Sequence, residues 1–278
     1  MRFVVGPPWL RVTVAVDGDL VRRLKPFFET AGAEMGSEGE GDGPALTVAA
    51  VEEVAGSGRG GFKLEGDVYR ADAPEGRGSY HLAEGRGEVL LTPRSGPYFE
   101  TFLRQVFLLE SYRRGGLVLH SVAFARGDNA IVSCGESDSG KSTLARMLGK
   151  SFTVYSDEMN VVAGDGRAWA LPFRGTGVER INAGGGLLRI LTFHRPGREF
   201  AAAPLEAADA ARALWPNVFF AEGADAGFRE LAFERVADLA QRVSAFAVAV
   251  PLEAKITREG FRKIFDETFS TKEGQDEA

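Results

Sequence analysis

Gly135, Glu136, Ser137, Asp138, Ser139, Gly140, Lys141 and Ser142 match the pattern G-x-x-x-x-G-K-[ST] without a mismatch. The chemistry of that spacing is anion binding. Glycines let the backbone wrap closely around a phosphate. Successive N–H groups and the start of a helix supply donors, Lys141 reaches the terminal phosphates, and the Ser142 hydroxyl is suited to ligate magnesium. The flanks agree with this reading. Residues 130–134 form an apolar run that reads as a buried strand, and residues 142–148 read as a helix, so strand, loop and helix follow in the required order. Together with Thr143, the loop is the expected nucleotide-binding stretch.

Phosphoryl transfer also needs a metal and a group that orients or deprotonates the acceptor. Asp157 and Glu158 follow a strand-like run at 152–156, where nucleotide chemistry in open α/β sheets is expected, beyond the carboxyl ends of strands. Asp157 is a candidate magnesium ligand or a base toward a hydroxyl, and Glu158 takes whichever role Asp157 leaves. His120, one strand before the loop, is placed to orient Asp157 or to carry a proton; the competing reading is an ordinary core histidine. Arg174 and Arg180, in a basic loop punctuated by glycines, suit a phosphate clamp or an acceptor-positioning role, with a solvated loop as the alternative. His194 and His81 have weaker claims, and the spacing of the three histidines is not that of a metal site.

The elements that must position these groups are legible in outline. Residues 10–16 alternate as a half-buried strand, residues 19–28 read as a short helix, and 46–51, 62–69, 79–83 and 88–92 read as strands. Residues 32–44 are rich in glycine and acids and read as a loop. These predict a small β-rich accessory domain over 1–96, followed by a linking helix over 97–116 that Pro97 opens. The catalytic domain is expected over 117–269. It starts with a strand over 117–125 and a tight turn into 130–134; after the loop come strands at 161–163, 169–171 and 187–193. Helices follow over 205–214 and 228–243, then an edge strand at 247–252, a last helix over 258–269, and a polar tail over 270–278.

With 33 basic and 39 acidic residues the chain carries a formal charge of −6, which argues against a broad nucleic-acid surface. The single cysteine, Cys134, rules out an internal disulfide and any cysteine cluster for metal; its apolar strand makes it a buried thiol. No apolar stretch is long enough for a membrane span, and the N-terminus lacks the apolar run of a signal peptide, so the expected location is cytoplasmic.

The order His120-Ser121-Val122-Ala123, a hairpin, the loop from Gly135 to Ser142, Tyr155-Ser156-Asp157-Glu158, and Phe173-Arg174-Gly175-Thr176-Gly177 resembles the C-terminal catalytic domain of the HPr kinase/phosphorylase family. That family phosphorylates a serine of a phosphocarrier protein and shares its phosphate-loop architecture with ATP-dependent phosphoenolpyruvate carboxykinases. The resemblance covers roughly residues 115–265. It implies an α/β fold with an HPr-kinase-like P-loop domain, ATP and Mg²⁺ as cofactors, His120 as the active-site histidine, and Asp157 as base for the acceptor hydroxyl. Arg174 and Gly175 match the Arg-Gly pair of the substrate-side loop. It also implies a homo-oligomer, since the related kinases commonly assemble as hexamers.

The sequence departs from the family at several points. Glu158 replaces a second aspartate, Pro172 stands where a metal-associated glutamate is usual, and Thr143 stands where glutamate is common. The first hundred residues show no clear match. The fit is therefore to the broad set of HPr-kinase-like proteins, some of which accompany peptide-modification systems and phosphorylate peptides or small hydroxyl compounds. The expected activity is an Mg²⁺-dependent transfer of the γ-phosphoryl group of ATP to a hydroxyl, that of a serine in a peptide or protein. The alternative is a nucleotide-binding regulatory or assembly protein; a motor or transporter subunit is disfavoured.

Overall fold

The computed structural model describes residues 1–36, 43–54, 61–95, 97–136, 138–223 and 226–273, with 269–273 described by backbone alone. Ser137 and residues 274–278 lie outside these, as does part of the loop expected over 32–44. The first part of the chain contains β1 (Arg2–Val5), β2 (Val12–Val16), α1 (Gly18–Thr30), β3 (Glu34–Met35), β4 (Ala45–Ala50), β5 (Phe62–Glu65), β6 (Val68–Ala73), β7 (Gly76–His81), β8 (Arg86–Leu91) and α2 (Tyr98–Arg113). Its sheet runs β3-β1-β2-β4-β8-β7-β6-β5. The pairs β2–β4 and β4–β8 are parallel and the others antiparallel, so the sheet is mixed.

The local causes are visible. In β2, Val12, Val14 and Val16 are buried while Thr13 and Ala15 turn to the other face, the period of two that defines a strand with one covered side. In α1, Leu20, Leu24 and Phe28 recur every four residues and form its buried stripe. Phe28 stacks on Phe3 of β1 with ring centroids 4.0 Å apart. On α2, Glu110 is fully buried, and its carboxylate accepts hydrogen bonds from Tyr80 Oη at 2.8 Å and Arg113 Nη2 at 2.8 Å. A buried charge survives only when it is paired and bonded in this way.

The remaining elements are β9 (Leu117–Arg126), β10 (Asn129–Cys134), α3 (Lys141–Leu148), β11 (Thr153–Ser156), β12 (Met159–Val162), β13 (Arg167–Ala170), β14 (Gly184–Pro196), β15 (Ala201–Leu205), α4 (Ala207–Leu214), a single 3₁₀ turn at Trp215–Asn217, α5 (Ala226–Arg242), β16 (Ser244–Val250) and α6 (Ala254–Glu273). Their sheet is also mixed. The pairings pass from β10 through β9, β12 and β13 to β14, and β14 returns to β10, closing a ring; β16 and then β15 extend the sheet beyond β14. β10, β14 and β16 run parallel to one another. One face of these strands buries Ile131, Ile190 and Val248 with Leu144 and Leu148 of α3 and Phe261 and Ile264 of α6. This core fixes the start of α3 against the end of β10.

The chain folds as two compact units. The first contains Met1–Gly115, Leu171–Phe173 and Phe220–Glu230; the second contains Gly116–Ala170, Arg174–Phe219 and Leu231–Ala278. The helix expected to link the halves is α2 and belongs to the first unit, and two short segments from the later sequence join that unit as well. The fold is of mixed α and β content, as expected.

Several local expectations are corrected. The strand expected over 62–69 is two, β5 and β6, because Gly66 adopts φ +58° and turns the chain back. The segment expected as an edge strand at 247–252 is β16, which is paired on both sides; Pro251 falls just past its end and removes no ladder donor, and the edge is β15. The last helix runs to Glu273, so the tail begins later than expected. Among the described residues no helix is long and apolar enough to cross a membrane.

Candidate functional site

The glycine-rich loop leaves the C-terminal end of β10 and enters α3. Cys134, the last residue of β10, pairs with Ser121 of β9 on one side and Phe193 of β14 on the other, and the Ser121 N–H donates to the Glu158 carbonyl at 3.2 Å. One row of the sheet therefore carries the acid-bearing turn, the histidine strand, the start of the loop and the end of β14. Burial pushes the Cys134 thiol up to about 12, so it is uncharged at neutral pH.

Within the loop, Ser139 N–H donates to Glu136 O at 3.2 Å, and Asp138 and Gly140 both adopt positive φ, 60° and 92°. Left-handed residues alternating with others turn successive N–H groups toward a common concavity, the geometry of an anion nest. α3 then begins at Lys141, with the Leu144 N–H bonded to Gly140 O at 2.8 Å. Lys141 is buried, and its Nζ donates to Gly135 O at 2.9 Å and Glu136 O at 3.0 Å. Burial lowers its pKa; Cys134 and the carboxylates of Glu158 and Asp138 act in the opposite direction. Ser142 and Thr143 are half-buried, and Thr143 Oγ1 accepts a hydrogen bond from Arg146 at 3.2 Å.

Asp157 and Glu158 occupy the gap between β11 and β12, two strands that lie along the same side of β9. The register shifts between Val154 and Ser156, an irregularity of the kind that re-aims side chains at a sheet edge. Asp157 is only 2% exposed. Its Oδ1 accepts the Gly175 N–H at 3.0 Å and its Oδ2 accepts the Gly177 N–H at 2.6 Å. A Cβ on Gly177 would stand 2.4 Å from Ser142 O and 2.7 Å from Asp157 Oδ2. Glycine at 177 thus lets the Arg174 loop lie between the start of α3 and the Asp157 carboxylate. Asn160, fully buried, fastens this turn: its Nδ2 donates to Ser121 O at 2.8 Å and Ser156 O at 3.3 Å.

His120 is half-buried, with its ring 5.5 Å from that of Phe219 and its Nε2 3.9 Å from Glu158 Oε2. Arg174 is exposed, and its Nη1 donates to Val178 O at 3.1 Å within its own loop; Arg180 is exposed too. The structure therefore brings together Ser142, Asp157 and the Gly175–Gly177 backbone, and pairs His120 with Glu158. It does not bring the Arg174 guanidinium into a bond with either acid.

Two further residues touch the loop: His194, to which the sequence gives only a weak claim, and Asn217, which it does not single out. His194, 4% exposed, lies with Nδ1 3.1 Å from Ser133 Oγ and Nε2 3.4 Å from Ser139 Oγ. Burial, with the Lys141 charge, pushes its pKa down to about 4, so it is a neutral imidazole. Asn217 Oδ1 accepts the Gly135 N–H at 3.2 Å. The signal for His194 was its place at the carboxyl end of a strand parallel to β10, but the strand read from sequence stopped at Phe193. Asn217 sits in a short turn and carries no comparable signal. His81 lies on β7 in the first unit.

The chemistry of the donor set can be tested against magnesium. Among the described residues no three His, Cys, Asp or Glu side chains cluster as a metal site. Magnesium bound with a nucleotide needs only one or two carboxylates beside phosphate oxygens and water. Asp157 spends one acceptor site on each oxygen and retains others, so Asp157 with the Ser142 hydroxyl fits that demand.

No protein-family model matches the chain, and no curated protein matches its sequence.

Proposed function

We propose that the second unit binds the polyphosphate of ATP and transfers the terminal phosphoryl group to a hydroxyl, with a serine of a peptide or protein as the acceptor class. The observation that carries this reading is the meeting of the loop and the acid: Ser142 at the start of α3 and the Asp157 carboxylate flank the same glycine. A strand, a loop with two left-handed residues, a buried lysine and a helix are the parts of a P-loop, and they support the HPr-kinase-like assignment.

In this reading the loop N–H groups and the start of α3 hold the phosphates. Lys141 exchanges its two loop carbonyls for phosphate oxygens. Ser142 and Asp157 would hold Mg²⁺, which neutralises phosphate charge when bound. Asp157 takes the proton of the attacking hydroxyl as its oxygen bonds to the γ-phosphorus and the bond to the ADP oxygen breaks. His120 and Glu158 stand at hand for proton traffic, and the protein acts in the cytoplasm.

A second reading, nucleotide binding that sets conformation without transfer, is favoured by one observation. Both Asp157 oxygens are already engaged by Gly175 and Gly177, as in a structural clamp. The test is transfer from γ-labelled ATP to a peptide and metabolite panel by the purified full chain. The kinase reading expects labelling that Asp157→Asn abolishes while ATP binding persists. ATP binding without transfer to any acceptor would select the second reading, and no ATP binding would overturn both.

A further inference from the structure

The face of β10 and β14 that packs on α3 and α6 is apolar at Ile131 and Ile190. Two residues further toward the loop it becomes polar, with Ser133, Thr192 and His194 all buried. Ser133 and Thr192 are direct neighbours in the β10–β14 register. Burying polar side chains at this depth is unfavourable unless each is bonded, so the patch calls for a purpose. The loop lies directly on it. A Cβ at Gly135 would stand 2.6 Å from Ser139 Oγ, 2.8 Å from His194 O and 3.1 Å from His194 Cε1, so only glycine permits this approach.

A neutral imidazole has one donor and one acceptor. Besides the Ser133 and Ser139 hydroxyls at its two nitrogens, the Cys134 and Ser139 backbones hydrogen-bond to the ring. The bond recorded for the fully buried Ser133 hydroxyl is to Nδ1. With Nδ1 as acceptor the buried Ser133 hydroxyl keeps that nitrogen as a partner for its hydrogen, which a proton on Nδ1 would take away. Nδ1 is therefore the acceptor and Nε2 the donor. Nε2–H then points to Ser139 Oγ, and the Ser139 proton is left to bond elsewhere. The 3.4 Å separation leaves slack for the loop to take up as it closes on a ligand.

We infer that His194 is a positioning residue for polyphosphate binding: Ser133 donates to His194, His194 donates to Ser139, and Ser139 donates its proton to a phosphate oxygen held by the loop. The inference rests on the nucleotide reading above and adds to it a directed hydrogen-bond chain running from the strand core into the loop. Chains of this kind strengthen their terminal donor, and a neutral relay adds no competing charge beside Lys141.

Two measurements test it. The ¹⁵N shifts of the His194 ring in the ligand-free full chain should report the Nε2–H tautomer; a Nδ1–H tautomer would overturn the chain. Calorimetric titration with Mg-ATP and with inorganic tripolyphosphate should show Ser139→Ala and His194→Ala each weakening binding about tenfold. The double variant should be no weaker than either single, because both remove the same bond. His194→Gln, which keeps an N–H donor, should recover most of the loss; this also guards against an alanine variant that is merely misfolded. Variants that bind like the wild type, or losses that add, would overturn the role of His194 while leaving the nucleotide reading intact. A wild-type chain that binds neither probe overturns the nucleotide reading, and this inference with it.

Discussion

Replacing Gly177 by alanine puts a methyl group where the structure has no room for one. Its nearest neighbours would be Ser142 O at 2.4 Å, Ser142 Cα at 2.6 Å and Asp157 Oδ2 at 2.7 Å. The first two are backbone atoms at the start of α3, held by the core of Leu144, Leu148, Ile131 and Phe261, so they cannot rotate away as a flexible side chain would. Overpacking of this kind costs about 1–3 kcal/mol. The Arg174 loop can instead lift, but it then gives up the 2.6 Å bond to Asp157, worth about 1.5–3 kcal/mol for a charged acceptor. The two costs are alternatives in part, and the expected loss is about 2–4 kcal/mol. For a chain of this size each kcal/mol lowers the melting temperature by about 2–4 °C, so a fall of roughly 5–12 °C is expected by circular dichroism. Mg-ATP affinity should fall as well, because the strain falls on Ser142. Gly18→Ala is the control: a Cβ there meets nothing within 4 Å and φ is not positive, so its melting temperature should match or exceed the wild type. A Gly177→Ala protein that melts and binds nucleotide like the Gly18→Ala control would refute the clamp.

The pKa of His194 is about 4 in the fold and about 6.5 in an unfolded chain, so the unfolded state binds the extra proton first as pH falls. Stability contributed by the neutral ring is complete above pH about 6.5 and is lost on acidification toward pH about 4, up to a limit of about 3 kcal/mol. Urea midpoints of wild type and His194→Gln should therefore converge as pH drops through this window, and a gap that stays flat would contradict it. Cys134, buried with its pKa pushed up to about 12, should resist a thiol reagent at neutral pH in the native protein and react with one equivalent after denaturation; full labelling of the native chain would show that the strand is open. In the first unit, Tyr80→Phe removes the 2.8 Å bond to buried Glu110 and should cost about 1–3 kcal/mol in a denaturant titration, without changing nucleotide affinity. A neutral result would mean that Arg113 and Arg114 together satisfy that carboxylate.

The loop and its flanks were readable because the information is local. Gly135 to Ser142 sit between an apolar run and an amphipathic helix, and each of those patterns spans a few consecutive residues. The same holds for the hairpin of β9 and β10 and for Asp157 at the end of β11. Local pattern misleads where pairing partners matter: residues 247–252 read as an edge strand, and nothing within them reveals that β15 lies alongside. The short strands β1, β3 and β15 carry no local signal for the same reason, since their order comes from neighbours more than from periodicity.

The sequence by itself determined which residues make up the proposed phosphate loop, because glycine, lysine and serine at that spacing dictate backbone conformation and charge within one turn of chain. Only the tertiary structure decided what stands against them. That Gly177 separates Ser142 from Asp157 and that His194 lies beneath Gly135 are contacts across 35 and 59 residues of chain. They exist because β10 runs parallel to β14 and β9 is paired on both sides. Long-range pairings of that kind have no imprint in local spacing; they follow from which apolar faces are buried together.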